Sequence, residues 1–280
     1  MVSVIVPTRN SARTLEACLS SIRAQQGVQV ELIVVDNGST DGTQGIATRA
    51  ADVVVYKGPE RSAQRNYGAS LAKSQYLLFV DSDMVLEPQV LSDCIAKVGH
   101  ARAPAVIVPE VSVGRGFWAA CRALERTCYV GDDLVEAARF FPRKIFEEEG
   151  GFDESLTGPE DWDLTIRIAA GKSLPRTAST ICHDEGTLRL GTVLAKKRYY
   201  GASAIRYWRK HGTAGARQAN LVFRPAFIRN WRRLLAHPFL AAGIVSLKTL
   251  ETGAVLWGAI PEVLGSRGAR RPKDPSRSNG

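Results

Sequence analysis

Apolar runs along the first third of the chain define the predicted central sheet. Residues 2–6, 32–35 and 76–80 contain almost no polar side chains, a pattern typical of strands buried on both faces of a parallel sheet. Between the first two runs, apolar residues recur at helical spacing, at Leu15, Cys18, Leu19 and Ile22. Strand, helix and strand in this order form a βαβ unit, so we predict an α/β fold with a mostly parallel central sheet flanked by helices.

Further elements follow along the chain. A third short strand is predicted over residues 52–56 and a helix over residues 62–74, and the helix leads into the buried strand at 76–80. After residue 192 the pattern becomes helical, which predicts a helical appendage at the C-terminus. Large apolar residues recur there every four positions, at Phe223, Phe227, Trp231 and Leu235. Arg229, Arg232 and Arg233 lie off that stripe, as is typical of a helix in a membrane interface.

Residues 239–260 form the most apolar segment of the chain. Apart from small polar residues, they are interrupted only by Lys248 and Glu251. The uncharged stretch on either side of these two residues is too short to span a bilayer, which takes about 20 apolar residues. We expect either a re-entrant or surface-lying helix pair, or a helix packed on the preceding domain.

Charge divides the chain in two. The net charge is +9, but residues 1–186 carry 19 Lys and Arg against 25 Asp and Glu, whereas residues 187–280 carry 18 against 3. A strongly basic C-terminal region predicts contact with an anionic membrane surface, a phosphorylated substrate or nucleic acid. The five cysteines include no Cys-x-x-Cys pair, which predicts reduced thiols in a cytosolic setting.

Two carboxylates follow the buried strand at 76–80. Asp81 and Asp83 lie two positions apart, so their side chains can point the same way at the sheet edge where open α/β folds bind ligands. Two carboxylates this close in a crevice repel each other unless a cation lies between them, and Mg²⁺ or Mn²⁺ carrying phosphate oxygens would suit them. The alternative is an Asx turn that caps the next helix.

The turns after the first two strands carry further polar residues. The sequence Pro7-Thr8-Arg9-Asn10 lacks the Gly-x-Gly-x-x-Gly pattern, which argues against a pyrophosphate cradle at this turn. Asp36 closes the second strand, where an acidic residue can accept hydrogen bonds from a ribose or a base. An ordinary polar turn explains the sequence after Asp36 equally well.

Taken together, these motifs resemble those of the inverting nucleotide-sugar glycosyltransferases of family 2, which have the GT-A fold. The resemblance covers roughly residues 1–186 and rests on the order and spacing of six motifs. They are Val4-Ile5-Val6-Pro7-Thr8-x-Asn10, Val34-Val35-Asp36-Asn37-Gly38-Ser39-Thr40-Asp41-Gly42-Thr43, Arg65-Asn66-x-Gly68, Phe79-Val80-Asp81-Ser82-Asp83, Gly150-Gly151-Phe152-Asp153-Glu154 and Gly158-Pro159-Glu160-Asp161-Trp162-Asp163-Leu164. Many relatives carry a second Asp where this chain has Asn37.

The resemblance implies a nucleoside diphosphate sugar donor, with a UDP-sugar favoured, and a Mn²⁺ or Mg²⁺ cofactor. Donor-binding residues would be Pro7, Thr8 and Asn10 at the base, Asp36 at the base or ribose, Arg61 or Arg65 near the nucleotide, and Asp81 with Ser82 at the ribose. Asp83 and Asp81 would hold the metal.

The resemblance also implies a catalytic base. Inverting transfer needs a carboxylate that accepts a proton from the acceptor hydroxyl, and the family places it at Asp161, next to Glu160. Both residues begin a predicted helix, whose positive end favours an ionised carboxylate, although acidic residues cap helices for structural reasons as well. His183 follows a short apolar strand and is either a ligand of the metal or diphosphate, or a loop histidine bonded to a carboxylate.

The domains predicted on this basis are a catalytic domain over residues 1–210, a basic amphipathic helical region over 211–266 and a disordered tail over 267–280. We expect the enzyme at the cytoplasmic face of the cell membrane. Its acceptor would be a saccharide or a lipid-linked molecule of cell-envelope polysaccharide synthesis, and nucleic acid is not expected as a partner. Two alternatives stay open: a nucleotidyltransferase acting on sugar phosphates, and a non-catalytic relative that only binds nucleotide sugars.

Overall fold

The computed structural model of the chain describes residues 1–219 and 224–264. The strands and helices of this part follow each other in the order β1 (Val2–Thr8), α1 (Leu15–Arg23), β2 (Val30–Asp36), α2 (Thr43–Ala50), β3 (Val53–Tyr56), α3 (Arg61–Leu71), β4 (Tyr76–Phe79), β5 (Met84–Leu86), α4 (Val90–Ala101), β6 (Val106–Ile107), β7 (Glu110–Arg115), α5 (Phe117–Tyr129), β8 (Ala138–Pro142), α6 (Arg143–Glu148), α7 (Glu160–Ala169), β9 (Ile181–Thr187), α8 (Leu190–Ala219), α9 (Pro225–Arg229), α10 (Trp231–Ala236) and α11 (Pro238–Val263).

The described chain divides into two compact units. The first comprises residues 1–111, 136–154 and 160–184, and the second comprises residues 112–135, 155–159 and those from 185 onward. The predicted domain boundary between residues 210 and 211 lies within α8, just before the break in this helix at Gly212 (φ 55°, ψ −125°), and the predicted domain limits stay a prediction. The predicted disordered tail, residues 267–280, lies outside the described residues.

The first unit is built on a six-stranded sheet with the order β3-β2-β1-β4-β8-β6. Its first four strands are parallel, and β8 and β6 add to β4 in antiparallel orientation. The predicted class, α/β with a mostly parallel central sheet flanked by helices, is confirmed. A second, three-stranded sheet has the order β5-β9-β7, with β5 and β9 antiparallel.

Both faces of the central sheet are buried, because successive side chains of its inner strands alternate between two apolar clusters. One cluster receives Val4, Val6 and Leu78 and packs against α1. The other receives Ile5, Ile33, Leu77 and Phe79, together with aromatic residues of β8 and α6. This double burial explains why the strand sequences are continuous apolar runs.

Two of the sequence motifs hold the first unit together. The side-chain amide of Asn66 donates to the Phe152 carbonyl oxygen (2.9 Å), and its oxygen accepts a hydrogen bond from the Phe152 amide (2.9 Å). Gly68 packs helix α3 onto the sheet so closely that a Cβ there would lie 2.5 Å from Cγ2 of Ile5. Gly151, at a positive φ of 68°, brings the loop against Asn66. These residues therefore position α3 and Arg65, which begins the same motif.

The second unit is helical, and α11 is its longest straight element. Helix α11 packs along α8, where Gly201 and Gly258 allow a backbone approach that any Cβ would block. It also packs on α5, since a Cβ at Gly243 would lie 2.5 Å from Sγ of Cys121. Of the two alternatives predicted for residues 239–260, the helix pair is therefore wrong: these residues belong to one helix, because Lys248 and Glu251 are accommodated inside the unit instead of interrupting it.

The predicted aromatic stripe falls on two short helices. Phe227 belongs to α9 and Trp231 and Leu235 belong to α10, with Asn230 between the two helices, whereas Phe223 lies outside the described residues. Among the residues that the structure describes, one helix, α11, has the length and composition of a membrane-spanning segment. All five cysteines lie in the described part of the chain and are free thiols.

Candidate active site

The carboxyl ends of β1, β2 and β4 form the candidate active site. Register pairs Thr8 of β1 with Asp36 of β2, and β4 lies on the other side of β1, so that Asp81 follows at the same edge of the sheet. Parallel strands end together there, and the chain must leave the sheet in loops that can hold polar groups. The sheet topology thus explains why three motifs that are distant in sequence meet.

Hydrogen bonds join the loops after β1 and β2. The backbone amide of Asn10 donates to Oγ of Ser39 (2.8 Å), and Oδ1 of Asn10 accepts from the amide of Thr40 (2.8 Å). The Asp36 carboxylate is buried and accepts hydrogen bonds from the amide of Ser39 (2.9 Å) and from Gln44 (3.1 Å). Asp36 therefore stabilises the loop after β2, as the polar-turn interpretation predicts. This loop lies against the loop after β1.

Several buried polar atoms at the end of β1 have no hydrogen-bond partner among the described residues: Oγ1 of Thr8, and Nε and Nη1 of Arg9. Pro7 is buried in the same strand. A buried guanidinium without an acceptor is costly, so these atoms suit a polar or anionic ligand. Sequence reasoning missed Arg9, although a basic residue directly after the first strand was a visible signal.

Gln64 is a second residue that sequence reasoning missed. Its buried side-chain nitrogen donates to the carbonyl oxygens of Thr8 (3.1 Å) and Val35 (2.6 Å). It thereby satisfies carbonyl groups at the ends of two neighbouring strands and fixes α3 beside them. Its only sequence signal was its position directly before the Arg65-Asn66-x-Gly68 motif.

Arg65 connects the two halves of the candidate site. Its fully buried guanidinium donates to Oδ1 of Asp81 (2.7 Å) and to Oδ1 of Asp161 (2.6 Å), and lies 3.4 Å from Oε1 of Glu160. Burial by itself lowers the pKa of Arg65, but the Asp161 and Asp81 carboxylates outweigh it and raise the pKa. Burial likewise raises the pKa of Asp81, but Arg65, Arg139 and Arg61 outweigh that effect, so the pKa lies well below its ordinary value.

Helix α7 begins with the predicted catalytic pair. Glu160 is fully buried and its Oε1 lies 3.2 Å from Nη2 of Arg61. Burial raises the pKa of Glu160, and the arginine charges do not fully offset it. Asp161 is partly exposed, and its second oxygen accepts no hydrogen bond from the described residues. The two neighbours thus differ: Glu160 is enclosed, whereas Asp161 presents one oxygen outward.

A second chain of charged contacts runs through the smaller sheet. Nε2 of His183 lies 3.2 Å from Oδ2 of Asp83, and its Nδ1 lies 3.9 Å from Glu110. Glu110 accepts hydrogen bonds from Arg139 (2.5 and 2.8 Å), and Arg139 lies 3.9 Å from Oδ2 of Asp81. Burial lowers the pKa of Arg139, but Glu110 and Asp81 outweigh it and raise the pKa.

The sequence did not single out Glu110 and Arg139. The available signal was weak: Arg139 is one charged residue in the otherwise apolar strand β8. The pairing of β5 with β9, which sets Met84 opposite His183, brings the histidine beside Asp83. His183 therefore lies in strand β9 and not in a loop, and its imidazole adjoins the predicted metal ligand Asp83.

The residues near Asp83 fit a divalent cation in part. Oδ1 of Asp83 is buried and has no hydrogen-bond partner among the described residues, which leaves an oxygen available to a cation. Both Asp81 oxygens face arginines instead. Within residues 1–219 and 224–264, no group of three or more His, Cys, Asp or Glu side chains is arranged to hold a metal ion by itself. A metal here would therefore need further oxygen ligands, as a diphosphate would provide.

The structure brings most of the predicted site residues together. Arg61, Arg65, Asp81, Glu160 and Asp161 share one network of ion pairs, which lies beside the strand end that carries Asp83 and His183. The residues Pro7, Thr8, Asn10 and Asp36 lie at the adjoining ends of β1 and β2. The Ser82 hydroxyl donates to Oγ of Ser11 (2.8 Å), which links the Asp81–Asp83 segment to the loop after β1.

Solved structures with the same architecture identify the fold. The chain is similar to the mannosyltransferase PcManGT from Pyrobaculum calidifontis in complex with GDP-Man and Mn²⁺ (TM-score 0.61, 18% identity, covering 95% of this chain and 87% of that one). It is also similar to residues 1–349 of S. aureus TarS in complex with UDP (TM-score 0.52, 17% identity, covering 94% and 91%). The fold is GT-A, the architecture of nucleotide-sugar transferases.

Sequence comparison gives the family. The model of "Glycosyl transferase family 2" matches residues 3–151. A PGL/p-HBAD biosynthesis glycosyltransferase of Mycobacterium tuberculosis is 30% identical over 184 residues, which cover 62% of this chain and 72% of that protein. A pre-mycofactocin glycosyltransferase of the same organism is 29% identical over 229 residues, covering 72% and 46%. The chain belongs to glycosyl transferase family 2 and is a glycosyltransferase.

Proposed function

We propose that the enzyme transfers a sugar from a nucleoside diphosphate sugar, with a UDP-sugar favoured, to a hydroxyl group of a saccharide or lipid-linked acceptor, with inversion at the sugar. The observation that carries the proposal is the arrangement around Arg65. One buried guanidinium holds Asp81, beside the candidate cation ligand, and Asp161, whose second oxygen accepts no hydrogen bond from the described residues. Family membership argues against a nucleotidyltransferase, and the presence of Asp83, Glu160 and Asp161 argues against a non-catalytic relative.

The donor would bind along the ends of β1, β2 and β4. Polar atoms of Thr8 and Arg9 that have no partner within the described part of the chain would contact the nucleoside, together with Asn10 and Asp36. Asp81 and Ser82 would lie at the ribose, and Arg61 near the nucleotide. This assignment is supported by the solved structures of the same fold, since PcManGT is in complex with GDP-Man and TarS with UDP.

A Mn²⁺ or Mg²⁺ ion would be held by Asp83 and His183, with Asp81 next to them and diphosphate oxygens completing its ligands. When bound, such an ion acts as a Lewis acid that neutralises the charge developing on the leaving diphosphate. Arg139 and Arg65 add fixed positive charge beside Asp81 and offset part of the negative charge of the carboxylates there.

Asp161 would be the general base. The acceptor hydroxyl oxygen forms a bond to the anomeric carbon while the bond from that carbon to the diphosphate oxygen breaks, and the nucleoside diphosphate leaves. The hydroxyl proton passes to Oδ2 of Asp161, while the hydrogen bond from Arg65 to Oδ1 holds the carboxylate in one orientation. Glu160 would support this arrangement through Arg61 and Arg65.

We place the enzyme at the cytoplasmic face of the cell membrane, in peripheral contact with anionic lipid. The basic character of residues 187–280 and the apolar composition of α11 support this location. We also propose an acceptor of cell-envelope synthesis; a role in biosynthesis is supported by the mycobacterial relative, which is named for PGL/p-HBAD biosynthesis.

Thermal-shift measurements with UDP, GDP and dTDP, each with and without Mn²⁺, test the donor assignment. Stabilisation of the folded enzyme by UDP that depends on Mn²⁺ would support it, because a ligand that binds only the folded state raises its apparent stability. A larger shift with GDP or dTDP would support the same donor site and indicate a different nucleotide in the donor. No shift with any nucleotide would contradict the proposed donor site.

A further inference from the structure

Helix α11 presents an uncharged face to the outside. Its exposed residues recur three or four positions apart along the whole helix and include no Asp, Glu, Lys or Arg. We call these residues the outer face of α11: Pro238, Phe239, Ala242, Val245, Ser246, Thr249, Leu250, Gly253, Leu256, Trp257, Ile260, Pro261 and Val263. Several are large and well exposed, with Phe239 at 84%, Leu256 at 62% and Trp257 at 61%.

Two of the three charged residues of α11, Lys248 and Glu251, point into the second unit, and the third, Glu262, is 28% exposed and paired with Arg206 (3.1 Å). Nζ of Lys248 lies 2.5 Å from Oε1 of Glu125 and 2.9 Å from Oε2 of Glu251, and Glu251 is paired with Arg122. Arg122 also bonds to Glu125 (2.9 Å). Two positive and two negative side chains therefore satisfy one another between α5 and α11. Burying such pairs has a desolvation cost that apolar residues would not have.

This distribution is the reverse of an ordinary surface helix, which buries its apolar stripe and exposes its charges. Helix α11 has 26 residues, which corresponds to a length of about 39 Å at 1.5 Å per residue. An uncharged face of that length exceeds the scattered exposed apolar residues that any soluble protein carries. Such a continuous face indicates a partner, and the residues around it indicate which kind.

Basic and aromatic residues accompany the outer face of α11 near both of its ends. The guanidinium of Arg198, on α8, lies over the ring of Trp257 at 4.2 Å from the centroid. On α10, which directly precedes α11, Arg232 lies over the ring of Trp231 at 5.5 Å, and Trp231 is exposed. Tryptophan rings favour the headgroup region of a bilayer, and arginines attract anionic headgroups. This combination matches an anionic lipid surface.

The charged residues of α8 indicate whether α11 lies on the membrane or spans it. It packs along α11 through Gly201 and Gly258, and its residues Lys196 and Arg198 are exposed. If α11 spanned the bilayer, this neighbouring helix would take those charges into hydrocarbon, where each costs several kcal/mol. Only the outer face of α11 can enter the apolar region without that cost, which favours a helix lying in the plane of the interface.

We propose that the outer face of α11 docks the enzyme on an anionic lipid surface, with α11 in the plane of the interface and Arg198 and Arg232 at the headgroups. This inference rests on the membrane location proposed above and specifies its contact surface. It also implies that the sugar acceptor is carried by lipid, since an acceptor dissolved in water would not need a surface-bound enzyme.

Co-sedimentation of the full chain with vesicles tests the inference. The probes are vesicles of phosphatidylcholine alone and of phosphatidylcholine with phosphatidylglycerol. The variant is Leu250→Gln with Leu256→Gln, which removes two exposed apolar side chains and keeps helix propensity and charge. Val130→Gln, at an exposed apolar position outside α11, is the matched control. Thermal shift with UDP and Mn²⁺ reports separately on the donor site of each protein.

We expect the natural chain to bind the anionic vesicles and to bind neutral ones more weakly. The double variant should lose on the order of ten-fold or more in partitioning, while the control and the UDP-dependent shift stay unchanged. Equal binding of the double variant, no binding of the natural chain, or retention in the vesicles after alkaline carbonate would each overturn the inference. A dimer in light scattering that the double variant dissociates would overturn it as well, in favour of a second copy. Loss of the UDP-dependent shift alone would contradict the donor site and leave this inference standing.

Discussion

Arg65 and Asp161 are joined by a hydrogen bond of 2.6 Å although they lie 96 positions apart in the chain. The same guanidinium donates to Asp81 at 2.7 Å. The proposed base and the carboxylate beside the proposed cation site are thus oriented by one fully buried side chain. A movement of Asp81 on donor binding would therefore shift Arg65, and through it the carboxylate of Asp161.

Replacing Asp161 with Asn tests its role as the base. The amide keeps the size of the side chain but cannot accept the hydroxyl proton, so we expect transfer to slow by about 10²-fold or more while the UDP-dependent thermal shift persists. Sugar transfer in a timed assay measures this. Glu148→Gln, which neutralises an exposed acid on α6, is the control and should leave the rate unchanged. If Asp161→Asn keeps a transfer rate within two-fold of the natural enzyme, as Glu148→Gln should, Asp161 is not the general base.

Replacing Arg65 with Ala should destabilise the first unit. It leaves the Asp81, Glu160 and Asp161 carboxylates close together without their shared cation, and removing one partner of a buried ion pair costs about 3–5 kcal/mol. Urea denaturation measures the loss. Lys144→Ala removes a partner from an exposed pair and should cost no more than about 1 kcal/mol. Similar losses for both variants would show that the Arg65 network contributes little.

Two glycines of α11 give a matched test of the packing between α11 and α8. A Cβ at Gly258 would clash with the carbonyl oxygen of Arg198, whereas a Cβ at Gly253 meets nothing within 4 Å. Gly258→Ala should therefore cost about 1–3 kcal/mol, and Gly253→Ala should stabilise the protein by about 0.5–1 kcal/mol through helix propensity. Thermal unfolding of both variants measures the difference. Equal effects would contradict the close helix contact.

The buried ion pairs of the second unit should make its stability depend on pH. Burial raises the pKa of Glu251, but Lys197, Lys248 and Arg122 outweigh it, so the pKa is lowered from its usual 4.5. Glu125 is shifted in the same direction. A carboxyl group with a lowered folded-state pKa stabilises the fold above its unfolded-state pKa and loses that contribution as the pH falls.

Unfolding free energy should accordingly fall below about pH 4.5, as measured by urea titration between pH 7 and pH 3. Glu251→Gln should be less stable at pH 7 and should show a shallower fall, because one of the carboxyl groups with a lowered pKa no longer titrates. An identical pH profile in the variant would mean that Glu251 is not paired in solution.

The sheet and the position of the site could be predicted because their signals are local. Continuous apolar runs identify strands buried on both faces, and the polar residues after Thr8, Asp36 and Val80 necessarily meet at one edge of a parallel sheet. Glycines at positions 68 and 151 and Asn66 belong to recognisable motifs, and the structure adds their physical reason, the close approach of α3 to β1 and to the Phe152 loop.

The charged contacts could not be predicted, because they depend on which elements meet in three dimensions. Glu110 and Arg139 pair across 29 positions, and the local sequence marks Arg139 only weakly and Glu110 not at all. Lys248 and Glu251 of α11 were interpreted as interruptions of an apolar segment. The sequence does not reveal that they form ion pairs with Glu125 and Arg122 of α5. Spacing alone likewise did not reveal the end of a helix at Asn230.

The most direct test of the account is a calorimetric titration of UDP into the enzyme with Mn²⁺ present, for the natural chain and for Asp83→Asn. Oδ1 of Asp83 is the buried oxygen without a partner among the described residues, so the account places the cation there and predicts Mn²⁺-dependent UDP binding that weakens at least about ten-fold in the variant. Binding of equal strength in both proteins, or UDP binding unaffected by Mn²⁺ in the natural chain, would contradict it.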